Sequence, residues 1–175
     1  MEIARASLTI RQASRDDARA IAEIHVAAWR AAYRGLMPQE HLDALSVEKR
    51  SAFWRGQLSS PSPSKVAVSE AGGVIAGFCN YGPTRDDDDQ GSAEIYAIYV
   101  QPGSWRRGCG RALCERAFLD ASARECRAVT AWVLKSNRPG RDFYQRLGFT
   151  ADGAERSDAK RGFPLQEMRY RKVIA

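Results

Sequence analysis

The sequence predicts an α/β or α+β protein built on a sheet with helices against it, and three observations carry that expectation. Short apolar runs alternate with longer stretches of helical spacing along the whole chain. Residues 94–100 form a buried-looking strand that runs through a basic, glycine-containing turn into a helical stretch. A second apolar strand, 129–134, is followed by asparagine and proline at a helix start and by glycine at its end.

Each element follows in order. Leu8–Gln12 alternates as a strand, and Ser14 then caps a helix with Asp16 and Asp17 in its first turn, where carboxylates suit the positive end of the helix dipole. Ala18, Ile21, Ile24, Ala28 and Ala32 make one helical stripe, and a second helical region is expected over 39–58. The serine and proline run at 59–64 reads as a loop rather than a domain boundary. Strands at 65–69 and 74–80 are joined by the turn Ala71-Gly72-Gly73, and a polar loop, 83–91, leads to the strand 94–100. Near the second strand Asn137 is the expected N-cap, Pro139 fits the first helical turn and Gly148 ends the helix. Phe143 and Leu147 are four apart and share a face, with Tyr144 rotated away from them. Residues 149–173 return as two strands around a polar loop. No internal repeat interrupts the pattern, and a single domain over 1–175 is expected.

Composition narrows the function. A chain of 175 residues with 44% hydrophobic content can bury a substantial core. It has no run of 18 or more apolar residues, so no membrane span is expected, and its first 17 residues lack a basic-then-apolar signal pattern. A cytoplasmic location is the expectation. Cys79, Cys109, Cys114 and Cys126 show no metal or redox spacing and should be reduced thiols; with only His25 and His41 beside them, no metal is expected. The net charge of +6 is spread among alternating arginines and acids, which argues against a nucleic-acid partner. Four aspartates at 86–89 are either a solvated loop or an attractor for a cationic acceptor.

The turn before the helix near Cys109 carries the chemistry. Unpaired N–H groups at a helix start hold anions when the approaching backbone is bare, and Gly108 and Gly110 supply that bareness. Arg106, Arg107 and Arg111 add positive charge, and Pro102-Gly103 separates strand from loop. By itself the pattern fits a plain structural turn equally well. A dinucleotide fingerprint would need a third glycine where Leu113 stands, and a P-loop would need Gly-Lys-Ser or Gly-Lys-Thr, which is absent.

Taken together, Val100-Gln101-Pro102, Gly108-Cys109-Gly110, and Asn137 followed by Phe143-Tyr144 and Gly148-Phe149 resemble the GCN5-related N-acetyltransferase (GNAT) family in motif and in order, over about residues 94–149. Three positions depart from its usual pattern. Trp105 stands where arginine or glutamine is commonest, Arg106 where glycine is common, and Gly140 where alanine is usual.

The resemblance implies a mixed, mostly antiparallel sheet flanked by helices, in which strands 94–100 and 129–134 run parallel and splay apart around the pantetheine arm of acetyl-CoA. Ile98, Tyr99 and Val100 would pair with the pantetheine amides as a strand pairs with an added edge. Trp105, Arg106, Arg107, Gly108, Cys109, Gly110 and Arg111 would hold the pyrophosphate, with Asn137, Phe143 and Tyr144 completing the cofactor site. The implied activity is acetyl-CoA-dependent N-acetylation, by direct attack, of a primary amine on a small molecule or protein; a non-catalytic acyl-CoA-binding sensor is the alternative. Dimers are common in the family.

Acetyl transfer sets requirements on the site. An amine with a pKa near 10.4 is almost wholly protonated at pH 7, a barrier of roughly 4–5 kcal/mol before attack. The departing sulfur then needs a proton, and Tyr144 matches the family's general acid. Glu94, fourteen residues before Gly108, matches the glutamate base of the histone-acetyltransferase branch; its plainer role is a strand-end salt bridge, with water as the base. For the acceptor, Trp29, Tyr33 and Tyr96 are candidates. His25, Trp29 and Tyr33 recur every four residues along one helix edge, and Trp29 serves equally well as core.

Overall fold

Arg11 fixes how the chain turns from its first strand into its first helix. The computed structural model describes residues 7–159 and 161–174, so the part of the signal-peptide reading that falls on residues 1–6 lies outside the described residues. Leu8–Gln12 forms β1 as expected. Ser14 then opens a 3-10 turn, Arg15–Asp17, that leads into α1, Ala18–Ala32. The Ser14 N–H and hydroxyl both donate to Asp17 Oδ2, at 2.7 and 3.1 Å. Arg11 donates to both oxygens of the same carboxylate, at 2.7 and 2.9 Å. The Arg11 bonds, helped by those from Ser14, hold the Asp17 pKa down at about 2 against the opposing effect of burial.

The helical region expected over 39–58 is two helices, α2 (Gln39–Asp43) and α3 (Val47–Ser59). The break has two causes. Ser46 is extended and its hydroxyl accepts the Lys49 N–H at 3.2 Å, which starts α3 afresh. Arg30 of α1 reaches over and donates to the carbonyls of Leu42, Asp43 and Leu45, at 3.1, 3.3 and 2.9 Å. Carbonyls that a continuous helix would have used are thereby satisfied by one guanidinium. The next strands are β2 (Lys65–Ala71) and β3 (Val74–Pro83). Gly72 and Gly73, with φ of 59° and 79°, make the two-residue turn between them.

The remaining elements are β4 (Ala93–Val100), α4 (Cys109–Ser122), β5 (Ala128–Leu134), α5 (Arg138–Arg146), β6 (Thr150–Asp158) and β7 (Leu165–Val173). The seven strands lie in the order β1-β2-β3-β4-β5-β7-β6. β4 and β5 are the parallel pair, with a ladder of three pairs from Ala93↔Val129 to Ile95↔Ala131, although β4 runs on to Val100 and β5 to Leu134. β1 with β2, β5 with β7 and β6 with β7 are antiparallel. The fold is thus the mixed, mostly antiparallel sheet with flanking helices that the motifs implied.

The chain divides into two compact units, one comprising residues up to Asn80 with Ala97–Arg116, the other Tyr81–Tyr96 with residues from Ala117 onward. In the first, the α1 stripe of Ala18, Ile21, Ala22 and Ile24 buries against Trp54, Val66, Val68 and Phe78. In the second, Val129, Ala131, Val133, Phe149, Leu165 and Tyr170 are buried, with Phe118 and Phe149 ring centroids 5.8 Å apart.

Asp17→Asn should therefore cost about 1–2 kcal/mol near neutral pH. Because the folded pKa of Asp17, about 2, lies below the 3.8 of a free aspartate, its contribution is complete above about pH 4 and fades as pH falls toward 2. Urea unfolding of both proteins at pH 7 and pH 2.5 should show the gap closing in acid.

Candidate active site

The first unit carries the strand, loop and helix start that the motifs singled out. Trp105, 44% exposed, donates from its indole Nε1 to the Val100 carbonyl at 2.8 Å. Its side chain therefore braces the loop against the end of β4, and one of the acceptors assigned to pantetheine already has a donor. Arg106 has φ of 60°, the left-handed conformation that makes glycine common at this position. Gly108 has φ of 87°, and a Cβ built there meets nothing within 4 Å. Glycine is required at 108 by backbone angle rather than by crowding, and the space over it is open. The Ala112 N–H donates to the Gly108 carbonyl at 3.0 Å as α4 begins, so the N–H groups of the first turn have no acceptor within the helix. Arg106 and Arg107 are exposed beside it; Arg111 is also exposed but is paired with Glu115 at 2.7 Å. Cys109 is buried.

Sequence reading missed Gly77. A Cβ there would lie 3.0 Å from both the Tyr99 carbonyl and Val100 Cγ2, so glycine is what lets β3 approach the end of β4. A lone glycine inside a strand was the available signal.

An aromatic wall stands in the same unit. His25 stacks on Tyr99 at 5.1 Å and accepts the Trp54 indole N–H at Nδ1, 3.3 Å away. Trp29 is buried at 5% exposure with its ring edge-on to Tyr33 at 5.2 Å. Tyr33 is half-buried, its hydroxyl 3.4 Å from that of Tyr99. The four-residue spacing thus does align His25, Trp29 and Tyr33, and Tyr99 joins them from β4.

In the second unit Glu94 is fully buried. The Arg85 backbone N–H and Nε donate to Glu94 Oε2 at 3.0 and 3.1 Å, and Arg85 Nη2 donates to Oε1. The Arg85 guanidinium also lies 4.6 Å over the Tyr96 ring. Tyr96 donates its hydroxyl to the Pro83 carbonyl; burial, and secondarily the Glu94 charge, push its pKa up. The polar end that the sequence offers to a substrate is bonded to backbone here.

Three of the four aspartates are engaged by basic or indole side chains, while Asp87 is exposed. Asp86 accepts from Trp132 Nε1 at 2.9 Å and from Arg169 at 3.2 Å. Asp88 accepts two bonds from Arg169, at 2.7 and 2.9 Å, which hold its carboxyl below the usual range. Asp89 accepts from Arg171 at 3.4 Å. Arg169 is 6% exposed and also donates to Asp152 at 2.7 Å. The run is a clamp that seats the loop between β3 and β4.

On α5, Asn137 Oδ1 accepts the Gly140 N–H at 3.1 Å. A Cβ at 140 would fall 2.5 Å from Asn137 Nδ2, so alanine there would require the Asn137 amide to shift. Tyr144, rotated away from Phe143 and Leu147, is the buried residue, while those two are half-buried. The reason is what surrounds Tyr144: Phe149 edge-on at 5.2 Å and Tyr170 nearly parallel at 6.3 Å. Among the described residues no group of three or more histidine, cysteine, aspartate or glutamate side chains is arranged to hold a metal ion. No helix among them is long and apolar enough to cross a membrane. A cavity of about 260 Å³ beside Tyr81, Thr84, Ser92, Asp120 and Cys126 is lined by none of the predicted site residues.

The family described as Acetyltransferase (GNAT) family has a model that matches residues 18–149. The chain is 32% identical to YuaI of Bacillus subtilis (strain 168), named an uncharacterized N-acetyltransferase, over 79% of this chain and 78% of that protein. It is 31% identical to the L-amino acid N-acyltransferase MnaT of Escherichia coli (strain K12), over 81% of this chain and 79% of that protein. Among solved structures it is similar to yncA from Salmonella typhimurium with its cofactor acetyl-CoA, with a TM-score of 0.69 and 26% identity, covering 97% of this chain and 95% of that one.

The left-handed backbone at Arg106 yields a test of the loop geometry. Arg106→Gly should stabilise the protein by about 0.5–1 kcal/mol, seen as a higher urea midpoint. A lower midpoint would show that the arginine side chain contributes more than the backbone angle costs.

Proposed function

The chain belongs to the GNAT family of acetyltransferases, and on that footing we propose that it moves the acetyl group of acetyl-CoA to the amino group of a free L-amino acid by direct attack. The observation that carries the reading is the passage from β4 to α4. Bare backbone at Gly108, open space above it and the free N–H groups of the first helical turn suit a pyrophosphate. Exposed Arg106 and Arg107 add charge there. The family match includes residues of both compact units, which supports the whole chain working as one N-acetyltransferase domain. Identity of 31% to an L-amino acid N-acyltransferase supports the acceptor class.

Bound acetyl-CoA supplies a thioester carbon open to attack and a thiolate leaving group. Each residue role follows from what those two features need. The first-turn N–H groups of α4 and Arg106 and Arg107 hold phosphate charge. Main-chain groups of Ile98 and Tyr99 extend along the pantetheine arm, with Val100 sharing its carbonyl with Trp105. Tyr144 gives its phenolic proton to the departing sulfur; phenol and thiol have similar free pKa values, near 10 and 8.5, so the transfer is close to balanced. Tyr33, with Trp29 behind it, lines the acceptor side. The Arg85 clamp on both Glu94 oxygens favours water as the acceptor of the amine's proton, with Glu94 fixing Arg85 and the start of β4.

Thiol release from acetyl-CoA, measured with free L-amino acids, spermidine and a lysine-containing peptide in parallel, tests the reading. Turnover with L-amino acids is the expected result. Turnover with another amine alone would move the acceptor class, and no saturable acetyl-CoA binding by calorimetry would overturn the reading itself. Tyr144→Phe should lower kcat by about 100-fold with cofactor affinity unchanged; unchanged kcat would remove Tyr144 as the acid. Glu94→Gln should keep the rise of rate with pH, whereas a flattened profile would return the base role to Glu94.

A further inference from the structure

We infer that Tyr170 is the residue that positions Tyr144 for proton donation, an assignment that rests on the reading of Tyr144 as the acid. Tyr170 lies on β7, the strand flanked by β5 and β6, where it pairs with Ala131 on one side and Ala151 on the other. Its side chain is 1% exposed. A buried tyrosine must find partners for its hydroxyl, and both partners come from α5, the helix that carries Tyr144. Arg141 Nε donates to the Tyr170 hydroxyl oxygen at 3.2 Å and Gln145 Nε2 donates to it at 3.4 Å.

These two donors, three residues before and one residue after Tyr144, are four apart and share one helix face, and Tyr144 lies one turn along from Arg141 beside it. Arg141 also donates through Nη1 to the Lys135 carbonyl at 3.0 Å, just beyond the end of β5. The helix is thereby held both along its axis and in rotation about it, because a shift of one residue would carry both donors away from a single oxygen. The Tyr170 ring completes the arrangement, lying nearly parallel to Tyr144, at 24° and 6.3 Å between centroids. Packing alone would be served by phenylalanine at 170. The hydroxyl adds a fixed point from which the orientation of α5, and with it the direction of the Tyr144 phenol, is set. General acid catalysis is sensitive to that direction, since displacement of a reacting group by about 1 Å can cost 100-fold in rate.

A double-mutant cycle separates this role from a merely structural one. Wild type, Tyr170→Phe, Tyr144→Phe and the double variant are compared as full chains, with L-methionine as acceptor and also in acceptor-free hydrolysis of acetyl-CoA, which needs the same protonation of the leaving sulfur. Tyr170→Phe should lower kcat by about 5–10-fold when Tyr144 is present, with KM for acetyl-CoA unchanged, and by less than about 2-fold when residue 144 is already phenylalanine. Gln145→Ala, at an exposed position that leaves the core packing intact, should show the same dependence on Tyr144 with a smaller factor, and serves if Tyr170→Phe fails to fold. An equal loss in both backgrounds would overturn the proposal and leave Tyr170 as a packing residue. If Tyr144→Phe alone has no effect, the acid assignment fails first and the positioning role falls with it; if Tyr144→Phe slows turnover and Tyr170→Phe does not, only the positioning role fails.

Discussion

A guanidinium buried at Arg169 has to be neutralised where it lies, and much of the second unit is arranged around that requirement. Three carboxylates meet it: Asp152 from β6, and Asp86 and Asp88 from the loop between β3 and β4. Trp132 of β5 adds an indole N–H to Asp86 and offers its ring face to Arg156 at 4.2 Å. Isolated surface ion pairs contribute little, but a cation with 6% exposure and three anionic partners cannot lose them cheaply. The loop is consequently seated on the sheet face, and its next residue toward the N-terminus, Arg85, is placed to hold Glu94 by both main-chain and side-chain N–H groups.

Glu94 illustrates how one residue type serves two roles at one position. A base needs a free lone pair directed at the acceptor, whereas Arg85 engages both oxygens here. Its complete burial is tolerable because the carboxylate is paired and bonded on each oxygen. The same guanidinium stacks on Tyr96, so two residues on one face of β4, Glu94 and Tyr96, are tied to one arginine.

In the first unit the governing constraint is backbone conformation. Arg106 and Gly108 both take positive φ within three residues, which folds the loop tightly before α4. Trp105 tethers the loop to the Val100 carbonyl at the end of β4. His25, Trp29, Tyr33 and Phe78 pack around Tyr99, with Trp54 against Phe78, and ring separations from 5.0 to 6.2 Å give that wall both burial and defined geometry.

By itself the sequence determined the order and nature of the main elements, because strand alternation, the Asn137 cap, the Gly72-Gly73 turn and the glycine stop at 148 are local and act within a few residues. It also marked the glycine-bearing turn before α4, since the positive φ at Gly108 is a local property of the backbone. What only the tertiary structure decided were features set by residues far apart in the chain. The break between α2 and α3 depends on Arg30 of α1, and the pairing of Asp86, Asp88 and Asp89 depends on Arg169 and Arg171 of β7. Tyr144 turned inward because Phe149 and Tyr170 surround it, not because of its spacing from Phe143 and Leu147. Periodicity reports which residues share a face, but which face is buried is settled by the surface that packs against it, and that surface is assembled from strands whose contacts no local pattern encodes.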